Sequence, residues 1–199
     1  MKSQEIKERD HPTASSYATK KGATNTTMII IAIAVIAVVA IAGIYYLGSQ
    51  SPSTQTWQQW GMGIQSPAGV QAQYSGILDQ TANSGSGTVQ WVWNQGTTRL
   101  ALSWVNTTSI DYDNSFEAIY QSLLVVATNV TVVDDGTITM AGLTWQYATF
   151  QFEQSGYTNY ETSALTLDST NGRAYEMDFI DVNPTTLNSL MSYGNTFTR

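Results

Sequence analysis

The side chains able to do chemistry in this sequence are almost all carboxylates: 15 Asp and Glu stand against 8 Lys and Arg, with a single histidine and no cysteine in 199 residues. The histidine is His11, so everything after it lacks the imidazole that a Ser-His-Asp triad, a Cys-His dyad or a histidine zinc site requires. Disulfides, thiolate metal sites and cysteine nucleophiles are excluded outright. No Gly-x-Ser-x-Gly elbow, phosphate-binding loop or dinucleotide fingerprint occurs. What remains is paired-carboxylate chemistry, which in glycosidases spans a cleft of about 5 to 9 Å. Glu153, Glu161, Glu176 and Asp178 are the available acids; Glu176 and Asp178 lie two positions apart and so share one face of a strand, read here as solvated surface. The expectation is therefore a protein without catalytic residues, cofactor or metal.

Four other patterns are candidate sites. Asp111-x-Asp113-x-Ser115-x-Glu117 places oxygens at alternate positions like the start of a calcium loop, but its sixth position is Phe116 where such a loop needs glycine. The reading preferred is a loop ending in a helix cap, with acids favoured by the helix dipole. Asp134-Asp135-Gly136 has the composition of a hairpin turn. Six tryptophans could form a carbohydrate platform, yet Trp91, Trp93 and Trp104 fall on the apolar side of a predicted hairpin and read as core, while Trp57 and Trp60 are close enough to the membrane to rest at its interface. Asn106-Thr107-Thr108 and Asn129-Val130-Thr131 fit the glycosylation acceptor pattern, making Asn106 and Asn129 candidate modification sites.

The elements that position these residues begin with Met28–Leu47, a run of 20 residues without a charged side chain. At about 1.5 Å per residue it spans roughly the 30 Å of a bilayer's hydrocarbon. Five cations, Lys2, Lys7, Arg9, Lys20 and Lys21, precede it, which predicts an N-terminus inside the cell and a C-terminal domain outside. Its length and the poor cleavage site at Leu47-Gly48-Ser49-Gln50 argue against a removable secretory signal. Residues 1–27 read as a disordered cytoplasmic tail, 48–56 as a linker, and 57–199 as one extracytoplasmic domain. After Gly48 twelve acids face three arginines, a balance of −9 with no lysine, which excludes phosphate-backbone recognition and hence nucleic acid.

Within the domain, Val89, Trp91 and Trp93 alternate on one strand and Leu100, Leu102 and Trp104 on the next, joined at Asn94-Gln95-Gly96. Strands are also predicted at Thr137–Met140, Leu143–Phe152 and Thr162–Asp168, with a bulge where the apolar phase slips between Tyr147 and Phe150. A last hairpin turns at Asn171-Gly172 and returns through Tyr175, Met177 and Phe179. One helix is expected to start from an Asn114 cap boxed with Glu117, and a second at Asn183-Pro184. This is an α+β class: a single N-terminal transmembrane helix followed by an antiparallel sheet covered by helices.

Trp60-Gly61-Met62-Gly63-Ile64-Gln65-Ser66-Pro67, Gly142-Leu143-Thr144-Trp145 and Gly172-Arg173-Ala174-Tyr175, followed by an apolar strand, a polar helix and Phe197, occur in an order that resembles the PsbP-like fold. Gly69-Val70 stands where that family usually has a tryptophan soon after the first proline. The resemblance covers roughly 57–199, brings no shared catalytic residues, and implies a binding or accessory role with a protein or glycan partner outside the membrane. The rival expectation is a pilin-like filament subunit, cut after Gly22 in Lys20-Lys21-Gly22. Five residues, Ala23–Thr27, would then separate the cut from the apolar helix, which weighs against it.

Overall fold

Period-two alternation becomes a long antiparallel sheet in the computed structural model, which describes residues 54–57, 62–65, 70, 73–74 and 86–199. Its strands are β1 (Thr54–Trp57), β2 (Met62–Gln65), β3 (Gln73–Tyr74), β4 (Ser86–Trp93), β5 (Thr98–Asn106), β6 (Thr128–Met140), β7 (Leu143–Gln154), β8 (Tyr157–Asp168) and β9 (Arg173–Asp181). Two helices, α1 (Tyr112–Val126) and α2 (Thr186–Gly194), complete it. β1 and β2 form a small ribbon; the other seven strands order as β3-β4-β5-β9-β8-β7-β6, every neighbour antiparallel. The antiparallel α+β architecture expected from the sequence is thus present. No helix among the described residues is long and apolar enough to cross a membrane; Met28–Leu47, Trp60 and His11 lie outside the described residues.

Each face of the sheet buries its own core. On the first, Val89, Trp91, Leu100, Leu102, Trp104, Trp145, Tyr175, Met177 and Phe179 pack under α2 and the C-terminal Phe197. The register places Trp91 beside Leu100 and Leu100 beside Phe179, so the predicted hairpin and its apolar side are as expected. Trp93 is half-buried and meets Phe179 edge-on at a centroid distance of 5.8 Å. Trp91, Trp93, Trp104 and Trp145 are therefore packing elements and not a sugar platform. On the second face, Phe116, Ile119 and Leu123 of α1 cover Phe150, Phe152, Leu165 and Ile180.

Several expectations are corrected. The Asp134-Asp135-Gly136 segment is no turn: β6 runs through it unbroken from Thr128, and the chain reverses at Ala141-Gly142, both at positive φ. β6 is the sheet's last strand, so its acids project from an edge, where charge discourages pairing with another chain. The register shifts lie on β6, between Thr128 and Thr131 and between Val132 and Asp134, while β7 pairs with β8 in continuous register. The apolar slip along β7 has another cause, because Trp145 and Tyr147 serve the first core and Ala148, Phe150 and Phe152 the second.

The last hairpin closes over four residues, 169–172, and not on Asn-Gly alone. Asp168 organises it, accepting from the Thr170 N–H at 3.1 Å and from Asn171 Nδ2 at 2.8 Å. α1 starts three residues earlier than expected: Asp111, not Asn114, is the cap, accepting from the Asn114 N–H at 3.2 Å. Glu117 turns away from any capping box and accepts from Gln121 at 2.8 Å. The second helix is capped at Thr185, just past Asn183-Pro184.

Candidate functional site

The acids singled out in the sequence separate into two places. Glu153 is exposed near the far end of β7. Glu161, Glu176 and Asp178 come together on the second face of the central strands, where each is only 3% exposed. Reading Glu176 and Asp178 as solvated surface is thus overturned, although they do share one face of β9.

The strand register builds this cluster in three adjoining rows. Arg99 of β5, Ile180 of β9 and Glu161 of β8 make the first; Ala101, Asp178 and Ser163 the second; Ser103, Glu176 and Leu165 the third. β4 extends two of them with Gln90 beside Ala101 and Thr88 beside Ser103. Because side chains alternate across a strand, all of these except the apolar members present polar atoms to the same side. Arg99, Gln90, Ser103 and Thr88 are each buried to within 4%. The Thr88 and Ser103 hydroxyls lie 3.0 Å apart and satisfy each other, and Ser163 Oγ donates to Glu161 Oε1 at 3.4 Å. Both oxygens of Glu176, Asp178 Oδ1, Glu161 Oε2 and Gln90 Oε1 are buried with no hydrogen-bond partner among the described residues.

Charge inside a low-dielectric interior disfavours ionisation, and the cluster shows it. Burial pushes Glu161 up to about 7; the Arg99 charge opposes this, Asp178 adds to it and the Ser163 hydrogen bond subtracts. Glu176 lies well above the ordinary carboxylate range, first through burial and then through the neighbouring Asp178 and Glu161 charges, against the pull of Arg99. Asp178 is also raised by burial, with Ser163 and Arg99 opposing. By contrast Asp168 is also penalised by burial, but hydrogen bonds, above all from Arg199 Nε at 2.8 Å, bring it below its usual value.

This arrangement is chemically closed. The hollow beside Glu176, lined by Ser103, Ile110 and Leu165, measures about 10 Å³, far too small for a sugar ring. Among the described residues no group of three or more His, Asp or Glu is placed to hold a metal ion, and Asp111 is engaged as a helix cap. An open recess of about 710 Å³ among the described residues lies elsewhere, between the C-terminal end of α1 and the β7–β8 turn, lined by residues including Leu124, Val125, Glu153 and Tyr157. Val125, at 83% exposure, and Tyr157 stand out from its rim. Of the acceptor asparagines, Asn106 is exposed but takes a hydrogen bond from Arg173 Nε at 3.2 Å, while Asn129 is exposed on β6 at φ 54°.

The path of the chain matches known structures. Cyanobacterial PsbP (CyanoP) from Synechocystis sp. PCC 6803 superposes with a TM-score of 0.53 at 10% identity, over 78% of this chain and 96% of that one. The fold is PsbP-like. LpqN, described as involved in cell envelope biogenesis of Mycobacterium tuberculosis, overlaps with a TM-score of 0.39 at 11% identity, covering 74% of this chain and 90% of its own. PA94 from Pseudomonas aeruginosa, a protein of unknown function, gives 0.36 at 7% identity, covering 70% and 88%. No protein-family model matches the sequence, and no curated protein does. The PsbP-like resemblance seen in the three motifs is therefore met in the fold: Leu143 opens β7, Arg173 opens β9, and Phe197 closes the first core against Trp145 and Tyr175.

Sequence reasoning found the acids of the cluster but missed Arg99, Gln90, Ser103 and Ser163. Their signal was present only as polar residues at period two on strands whose other face is apolar, which reads equally as a solvent-facing side.

Proposed function

We propose that this protein is an extracytoplasmic accessory or binding module, tethered by Met28–Leu47 with its N-terminus inside the cell, and without catalysis of its own. The observation that carries the reading is the uncharged run of 20 residues, with its cations on one side, ahead of a PsbP-like domain that has neither histidine nor cysteine. The paired-carboxylate hydrolase is disfavoured because Glu161, Glu176 and Asp178, the acids brought together among the described residues, are sealed in the sheet. A binding role needs an accessible surface, and the recess beside Val125 and Tyr157 supplies one.

That recess stands at the end of the sheet away from Gly63 and the C-terminal Arg199. β2 bonds to Thr198 through Gly63, and Arg199 bonds the Ala141 carbonyl at the β6–β7 turn. The recess lies at the other end of β7, whose 12 residues at about 3.3 Å each separate the two by roughly 40 Å.

Protease added to intact cells, followed by mass analysis of the membrane-extracted chain, tests the orientation. Loss of the Trp-rich domain with residues 1–27 protected is expected; protection of the domain with trimming of the Lys-rich tail would contradict it. The same mass analysis separates the filament reading, which requires a chain beginning at Ala23.

A further inference from the structure

The central cluster holds three carboxyl groups against one guanidinium, all on one buried face. Fully ionised it would carry two uncompensated negative charges in the interior; with two protons bound it is neutral. The groups facing it are few on every packed element. β4 offers only Thr88 and Gln90, β5 only Arg99 as a charge, and β7 the uncharged Ala148 and Phe150. α1, which lies over Leu165 and Ile180, brings the half-buried Tyr112, Tyr120 and Glu117, and keeps Asp111 and Asp113 exposed in its first turn. No second cation comes from these elements to balance the acids.

A separate observation points the same way. Gln90 Oε1 is buried without a hydrogen-bond partner among the described residues, in the row where only the small Ala101 separates Gln90 from Asp178. An unpaired buried acceptor is costly, and a carboxylate facing it adds another acceptor, whereas a carboxylic acid supplies the missing donor. Both oxygens of Glu176 are in the same position.

We propose that Glu161, Glu176 and Asp178 form a proton-binding device: the folded domain retains protons that the unfolded chain releases, so the protein is held tightly in mildly acidic surroundings and loosens as they become alkaline. The sign follows from the raised carboxyls. Their contribution is fully present below the unfolded values, 4.5 for the two glutamates and 3.8 for Asp178, and is lost as pH rises through the folded values, about 7 for Glu161. For Glu161 a rise from 4.5 to about 7 corresponds to a change of roughly 300-fold in the folding equilibrium from that group alone.

The test is thermal unfolding of the full chain in detergent micelles between pH 5 and pH 8. The melting temperature is expected to fall by about 5 °C or more over that range. Glu176→Gln should raise it at pH 8 and remove much of the fall, whereas Glu153→Gln, on the exposed rim of the recess, should leave the fall intact. A flat profile, or equal profiles for the two variants, would overturn the proposal. Should Glu176→Gln not fold, denaturant unfolding of the unaltered chain at pH 6 in weakly buffered solution decides the matter. Proton release is expected; no release, or uptake, would overturn it.

Discussion

The two faces of the central strands are made from alternate residues of the same segments, yet they bury opposite chemistry. From β9, Tyr175, Met177 and Phe179 enter an aromatic core under α2, while Glu176 and Asp178 enter an interior shared with Arg99 and Gln90. The first face is stabilised by apolar area and shape, and its buried Tyr175, raised above its usual value by burial, stays protonated at pH 5 and pH 8 alike. The second contains acceptors in excess of donors, so its stability depends on how many protons it holds. One sheet thus combines a permanent core with a conditional one.

The contrast is broken most severely by Trp145→Ala. Trp145 is fully buried, its indole N–H donating to the Met140 carbonyl at 3.1 Å and its ring meeting Phe197 edge-on. A loss of about 3–5 kcal/mol is expected by urea unfolding, equal at pH 5 and pH 8. Arg99→Met should behave differently: a loss of about 3 kcal/mol at pH 8, where it removes the cluster's cation, and a much smaller one at pH 5, where the acids are protonated. Gly87→Ala returns to the first face. A methyl there runs into the Trp104 indole, and about 1–3 kcal/mol is expected, again without pH dependence. Asp111→Ala removes the α1 cap and should cost about 1 kcal/mol by the same measurement. Val125→Ser, on the exposed rim, should change stability by less than about 0.5 kcal/mol and so sharpens the comparison as a neutral reference.

Much of the first face was legible in the sequence, and little of the second. Trp91, Leu100 and Leu102 declare a buried side by alternation, and Asn94 and Gly96 mark their turn with positive φ. A polar alternate position carries no such sign, because Gln90 or Glu176 looks the same facing water as facing a covered interior. β7 misled for a related reason: it serves both cores, so its apolar residues change side without a bulge. Asp134 and Asp135 have turn composition but sit on an edge strand, where exposed acids are equally at home. The α1 cap was missed by three residues because Asp111 and Asn114 are both good caps, and Asp111 wins by bonding the Asn114 N–H itself.

The protonated second face has a direct spectroscopic signature. Infrared difference spectra of the full chain in deuterated detergent solution at neutral pH should show the C=O stretching band of buried carboxylic acid, and that band should be reduced in Glu176→Gln and unchanged in Glu153→Gln. Its absence at neutral pH, with all carboxyl intensity in the ionised bands, would contradict the account.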